Sequence, residues 1–387
     1  MVQHTVIDRE GQAWLLTPDR LPAPGERMRA LLRARLVDEQ SREAVAAPVA
    51  LRTPRADIAT RATADGLVGL VAAPAVVLPQ LAATAADLAL EVDADGYLPL
   101  TLAGTLGPFA TFPDAFAPLD FGDVPLHRTA VTLAGRVMQN IAPDPLPLAG
   151  ATVQVELVWP RQPPPFWIAP ALGEPPNLVS LRPPLYRARA AGTTLRERTL
   201  VFSALAKTLL APLVPGATRL RLSNGDGLAA GMALALDIDT ADATEVIVIA
   251  SVEPASAPDL PVRVTLEHPA MRLHRDGVRC AQATPQPPIA AAVLARDARA
   301  ADPTVFLAAA PAFTDGAWLE VDDGGPVPEY VRALPLAATS DADGYFELPP
   351  ISRVALVRLL VQHPGLADAR SIVAIEPATT RLTLALE

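Results

Sequence analysis

Apolar and polar residues alternate along much of the chain in short runs separated by turn-forming residues. The run "LLRARLVD" (31–38) places apolar side chains at every second position, as a half-buried strand does. Helix propensity competes in "MRALLRAR", but the polar turn "DEQSREAVAAP" and a second short run, "VALRT", follow at once and favour strands. "TRATADGLVGLVAAP", "LALEVDADGYLPLTL" and "LHRTAVTL" continue the pattern, joined by Asp-Gly turns. Between them, "VVLPQLAATAADLAL" has room for a helical turn or two.

The same rhythm restarts in "VTLAGRVMQNIAPDPLPLAGATVQVELVWP" (131–160) and then stops. Its missing strands reappear far downstream, in "AATSDADGYFELPPISRVALVRLLVQHPG" and "TRLTLAL". One sandwich interrupted by a long insertion accounts for this, because insertions enter at loops and spare the host core. The expected fold is all-β. It comprises a leader (1–27), a first sandwich (28–133) and a second, split sandwich (134–160 plus 335–387). The insertion (161–334) holds a proline-rich segment (161–190) and β-barrel-like repeats (215–334).

Composition agrees with short strands: 42 Pro and 22 Gly must punctuate many elements. The net charge of −10 and the lack of a basic stripe argue against nucleic acid as a partner. Lys207 is the only lysine, a bias that fits a GC-rich coding sequence. The lone Cys280 has no intramolecular disulfide partner, which fits a reducing compartment. No signal-peptide pattern and no apolar run long enough for a membrane helix is visible, so synthesis in the cytoplasm is expected.

Both sandwich units resemble the carboxypeptidase regulatory-like, or transthyretin-like, β-sandwich. The second carries "PLAGATVQVEL" and "TSDADGYFELPPI"; the first offers "AVAAPVAL", "ATADGLVGLVAAP" and "LALEVDADGYLPL", without the glycine of the "PLxGA" turn. The resemblance implies no peptidase activity, since that family's zinc ligands lie in another domain. In this alignment the two "DADGY" copies, Asp93–Tyr97 and Asp341–Tyr345, occupy different hairpins. They read as turns and not as calcium loops, which need further regularly spaced oxygens and a late Glu. Within the insertion, "ATRLRLSNGDGLAAGMALALDIDTADATEVIVIASV" lies on "DPTVFLAAAPAFTDGAWLEVDDGGPVPEYVRALPL", with Gly231 on Gly316 and Glu245 on Glu329. These units resemble small β-barrel modules of phage-tail-like particle proteins.

The search for chemistry returns little. His4, His127, His268, His274 and His363 show no metal-ligand spacing, and there is no nucleophile elbow or phosphate loop. No catalytic residue, metal or cofactor is assigned. Two aromatic–proline segments stand out instead. Trp159, Phe166, Trp167 and Tyr186 lie in the first; Phe109, Phe112, Phe116 and Phe121 lie in the second. Such rings either cap their own sandwiches or anchor a partner. The partner-interface candidates are Trp159, Phe166, Trp167, Tyr186, Phe109, Phe112 and Phe116. The expected function is a non-enzymatic structural or interaction component of a large assembly, a phage-tail-like or contractile injection particle. Its partners would be other protein subunits, with the chain made in the cytoplasm and incorporated into a released particle. A ligand-binding module, such as an adhesin or carbohydrate-binding protein, is the alternative.

Overall fold

The computed structural model describes residues 4–7, 12–16, 28–45, 49–72, 84–108, 117–140, 144–161, 173–253, 260–376 and 381–386. All regular elements among them are strands, arranged in six sheets. The chain divides into two units. One is Met1–Thr129 with Pro160–Gln162 and Glu376–Ala378; the other comprises Ala130–Trp159, Pro163–Ile375 and Thr379–Glu387.

The first unit is a sandwich. Met28–Asp38 is its central strand, paired antiparallel with Leu67–Ala72 and parallel with Leu119–Leu126. The facing sheet is Val49–Arg52, Ala86–Ala94 and Leu100–Leu106. Alternation drives this arrangement: Ala86, Leu88, Leu90, Val92 and Ala94 point inward and meet Leu32, Leu36, Val68 and Leu70 in one core.

The second unit contains a sandwich with the same key pairings. Ala134–Gln139 pairs antiparallel with Tyr345–Glu347 and parallel with Arg381–Leu386. Thr152–Trp159 pairs with Leu356–Gln362, which pairs with Ala369–Ala374. One strand differs. Ala59–Ala62 joins the Leu67–Ala72 strand, whereas its counterpart Ala337–Thr339 joins Thr152–Trp159.

The two "DADGY" copies fall in different hairpins. Gly96 turns the chain between Ala86–Ala94 and Leu100–Leu106, in the place that Gly365 holds between Leu356–Gln362 and Ala369–Ala374. Gly344 instead corresponds to Gly66. Each has positive φ, and each carbonyl accepts a hydrogen bond from the central strand, Val137 N and Leu36 N respectively. A Cβ at either glycine would lie 2.5 or 2.7 Å from that strand's own carbonyl oxygen, so the approach requires glycine. The Asp341 carboxylate accepts from Asp343 N and Tyr345 N at 2.9 Å, which occupies it within its own turn.

Where the first sandwich crosses from Arg52 to Ala59 in a short loop, the second inserts everything from Pro160 to Leu336. The insertion is a duplication. Gly192 and Gly277, Leu209 and Leu294, Leu222 and Leu307, and Gly231 and Gly316 each stand 85 residues apart. The bridges repeat at the same step: Leu209↔Leu222 matches Leu294↔Leu307, and Leu213↔His274 matches Arg189↔Ala298. Each repeat is a hairpin followed by a longer meander, but neither closes on itself. Leu178–Arg182 and Thr194–Arg198 of the first repeat pair with Glu329–Leu334 and Trp318–Asp322 of the second. Val262–Leu266 and Arg279–Pro285 of the second pair with Glu245–Val252 and Ala233–Leu236 of the first.

Two small barrels result, each with its own core. An inner one (200–285) interrupts an outer one (178–198 and 291–334), which in turn interrupts the sandwich. The strands Leu178–Arg182 and Thr194–Arg198, which the sequence reading placed ahead of the barrel repeats, are inner strands of the outer barrel.

Candidate interaction site between the two barrels

The duplicated glutamates have duplicated roles. Glu245 Oε1 accepts from Met271 N at 2.8 Å and Oε2 from Arg272 N at 3.2 Å, and Oε2 meets His274 Nε2 at 2.9 Å. In the outer barrel Glu329 Oε1 accepts from Tyr186 N at 2.7 Å, and Oε2 pairs with Arg189 Nη2 at 2.5 Å. Met271 and Tyr186, like His274 and Arg189, are one repeat apart. Each glutamate therefore latches the loop after a hairpin's first strand to the strand that carries the glutamate in the other repeat. This crosswise latch joins two repeats.

The Arg189 side chain is 0% exposed and its second nitrogen reaches Asp323, which Arg187 also binds at 3.0 Å. Burial pushes the Glu329 carboxyl up, against the pull of Arg189 and the Tyr186 amide. Arg189 is held above its ordinary value because the Glu329 and Asp323 carboxylates outweigh the cost of burial.

Equivalent faces of the barrels meet. The inner barrel presents Ala233, Ala235, Val246, Val248 and Ala283; the outer one presents Trp318 and Tyr330 against them. Trp318 and Glu320 stand one repeat from Ala233 and Ala235, and Arg198 stands one repeat from Ala283. Small side chains on one copy thus accommodate large ones on the other, the complementarity that tight packing demands. Glu320 receives Arg198 through two bonds, at 3.0 and 3.1 Å, and lies 3.5 Å from the Tyr330 hydroxyl. Burial, then the Glu320 charge, raises the Tyr330 phenol to about 12.

At the rim, Tyr186 of the outer barrel stacks on His268 of the inner one, ring centroids 4.2 Å apart and planes at 11°. Burial pushes the His268 imidazole down. The Arg187 and Arg189 guanidinium carbons lie 5.3 and 5.4 Å from the Tyr186 ring centroid. Arg332 completes the contact by donating to the Ala241 carbonyl at 2.6 Å.

Of the seven aromatic candidates, Tyr186 lies in this interface. Trp159 is 7% exposed, and a Cβ on Gly173 would sit 2.8 Å from its ring, so it packs inside the second unit. Phe109, Phe112, Phe116, Phe166 and Trp167 lie outside the described residues. Sequence reading passed over Arg189, although the 85-residue step that aligns Gly231 with Gly316 also aligns Arg189 with His274.

The first unit carries a separate polar knot. Asp38 accepts from Gln40 N and Ser41 N at 2.9 and 2.8 Å, from Tyr97 Oη at 3.0 Å and from Arg128 Nε at 2.6 Å. Burial alone would raise the Asp38 carboxyl; the bonds from Arg128, Ser41 and Gln40 outweigh it and hold it below the usual value. A depressed native value contributes stability above the unfolded carboxyl's pKa, about 4. That contribution is lost as pH falls through the native value. Asp38→Asn is expected to cost about 2 kcal/mol at pH 7. It should also flatten the acid limb of a stability-versus-pH profile followed by urea unfolding; parallel wild-type and variant profiles would contradict this.

Among the described residues no group of three or more His, Cys, Asp or Glu is placed to hold a metal ion. No described helix is long and apolar enough to cross a membrane. No family model matches the chain, and no curated protein matches it. Among solved structures, the major pilin subunit of Bacillus cereus aligns at 8% identity over 92% of this chain and 98% of that one. Its TM-score is 0.21, too low for the likeness to carry an argument about fold or role.

Proposed function

We propose that this chain is a non-enzymatic structural or interaction subunit of a larger protein assembly, built from two transthyretin-like sandwiches with a barrel pair as its insertion. The supporting observation is where the buried charge goes. Glu245, Glu329 and Asp38 each accept backbone N–H groups while meeting a basic side chain, so they join chain segments and are not poised for acid–base work. A phage-tail-like or contractile injection particle is the assembly we favour. The motives are the repeated barrel modules and the aromatic–proline segments.

The test is sedimentation of the tagged protein from a lysate of its native host. It should pellet with tube or sheath proteins. Deleting residues 163–172, which removes Phe166 and Trp167 but spares the Leu178–Arg182 strand, should lower incorporation about tenfold if those rings anchor the contact. A wholly monomeric supernatant pool would overturn the reading.

One observation favours a ligand-binding module instead. A groove of about 320 Å³ lies between the second sandwich and the outer barrel, lined by Val155, Pro176, Pro311, Phe313, Asp315 and Pro335 among others. A glycan screen separates the two readings.

A further inference from the structure

The duplication supplies an internal control for every face of the barrels, and one face has changed its chemistry completely. In the outer barrel, Leu178–Arg182 and Thr304–Phe306 form a two-stranded ribbon, with Leu178 opposite Phe306 and Ser180 opposite Thr304. The second sandwich covers its outward side. Leu178 and Phe306 join the sandwich core with Ile351 and Val354. The Ser180 and Thr304 hydroxyls both donate to the Pro350 carbonyl, at 3.2 and 2.9 Å. In the inner barrel, one repeat away, Arg219–Leu222 and Val262–Leu266 form the same ribbon in the same register. There Arg263 takes the place of Leu178, Arg221 of Phe306 and Arg219 of Thr304.

Leu220, Leu222, Val262 and Val264 fill the inner barrel's core, so alternation sends the three arginines outward, and all three are exposed. Arg221 and Arg263 stand directly opposite each other, an arrangement that like-charge repulsion disfavours. Arg263 reaches Glu253 only at 4.0 Å, with both side chains more than half exposed. Arg219 and Arg221 have no ion-pair partner among the described residues. On the neighbouring segment Leu210, whose N–H donates to the Arg221 carbonyl at 2.9 Å, is 41% exposed. A face that is an interface in one copy is thus open in the other, and it carries positive charge that nothing neutralises.

The chain itself offers the counter-charge. Its net charge is −10, and on the first sandwich Asp87, Glu91 and Asp93 all point away from the core along Ala86–Ala94. Their neighbours on that face are small: Ala50 lies opposite Asp93, Thr101 opposite Glu91 and Ala103 opposite Ala89, with Arg52 at the edge. Counted from Gly96 and Gly365, the second sandwich has Leu356, Leu360 and Gln362 at the three acidic positions, so the carboxylates belong to one copy only. Glu91 and Asp93 stand two residues apart on a strand, about 7 Å, which is also the spacing of Arg219 and Arg221. Alanine and threonine between the carboxylates leave room for long side chains to approach.

We propose that the arginine face of the inner barrel docks on the carboxylate face of the first sandwich in a second copy of this chain. This rests on the reading of the chain as an assembly subunit, and it names one partner. The two faces are different, so the contact is heterologous and adds copies head to tail. At about 0.1 M salt charges act over roughly 10 Å, so the facing groups attract while the remaining negative charge of each copy is screened.

Sedimentation velocity of the purified full-length chain tests this. The wild type is expected to form concentration-dependent oligomers at about 0.1 M salt, with an association constant at least about tenfold lower at about 0.5 M. Arg219→Glu with Arg221→Glu should sediment as a monomer, and so should Glu91→Arg with Asp93→Arg. An equal mixture of the two variants should associate again, because each reversed face then meets its opposite. A wild type that stays monomeric overturns the proposal, as does association that survives either double variant. A mixture that stays monomeric, with both variants folded by circular dichroism, does the same. A monomeric chain held on an immobilised polyanion through Arg219 and Arg221 would give the face to another acidic partner and also overturn it. If the purified chain is monomeric yet pellets with tube or sheath proteins from the host lysate, only this inference falls. If it neither self-associates nor pellets, the assembly reading falls with it.

Discussion

Arg189→Leu is expected to lower the unfolding free energy of the second unit by about 3–5 kcal/mol, the usual cost of stranding one partner of a buried ion pair. The Glu329 carboxylate would keep the Tyr186 amide but lose the guanidinium at 2.5 Å, and Asp323 would lose its own bond to Arg189. Glu329 would then take up a proton on folding, so the loss should shrink as pH falls. The pair Arg189→Leu with Glu329→Leu should recover much of the loss, because well-packed apolar replacements for a buried ion pair are often close to neutral. Chemical denaturation of the four proteins in a double-mutant cycle measures this. A single-variant loss under about 1 kcal/mol would mean that water reaches Glu329 once Arg189 is gone.

Phe346→Ala is expected to cost a similar amount, about 3–5 kcal/mol, through a different term. Phe346 is 1% exposed, in the core of the second sandwich beside Val137, Leu348, Ile351 and Leu359. It stands opposite Gly135 across the ladder, where the missing side chain makes room for the backbone of Leu382 on the neighbouring parallel strand. Truncation removes the ring's transfer free energy and leaves a cavity that packed strands cannot collapse to fill. Phe346→Leu should cost roughly half as much, since most of the volume remains. Denaturant midpoints at unchanged m-value are the readout. Equal losses for Ala and Leu would point to a specific aromatic contact instead.

The sequence was most legible where one physical rule decided the outcome. Period-2 alternation marked Met28–Asp38 as a strand against a competing helix propensity, and it marked Ala86–Ala94, which buries one face only. Glycine at positive φ marked the turns at Gly66, Gly96 and Gly344. The Gly231–Gly316 and Glu245–Glu329 alignment was visible, and it falls on structurally equivalent positions.

Long-range pairing was not legible. "LVSLRPP" reads as the end of a proline-rich stretch, yet Leu178–Arg182 has a strand partner on each side, and Pro183 follows only after the strand has ended. An arginine amid "YRARAAG" reads as solvated, and only its partner 140 residues away makes its burial tolerable. The aromatic residues were treated as one class, but Trp159 and Tyr186 differ in what covers them. That difference depends on Gly173 and His268, which no local pattern links to them.

The parallel pairing of Ala134–Gln139 with Arg381–Leu386 bears on how the second unit carries load. Tension entering through Ala130 and leaving through Leu386 would pull these two strands along their length in opposite directions. Their ladder would be sheared, with its hydrogen bonds strained together, and not unzipped one bond at a time. The insertion starts and finishes within a single host sheet, at Trp159 and Ala337, so both barrels hang outside this line of force. A pull strong enough to extend the protein would therefore meet the sandwich's parallel pair first. The barrels would stay folded until that clamp had given way.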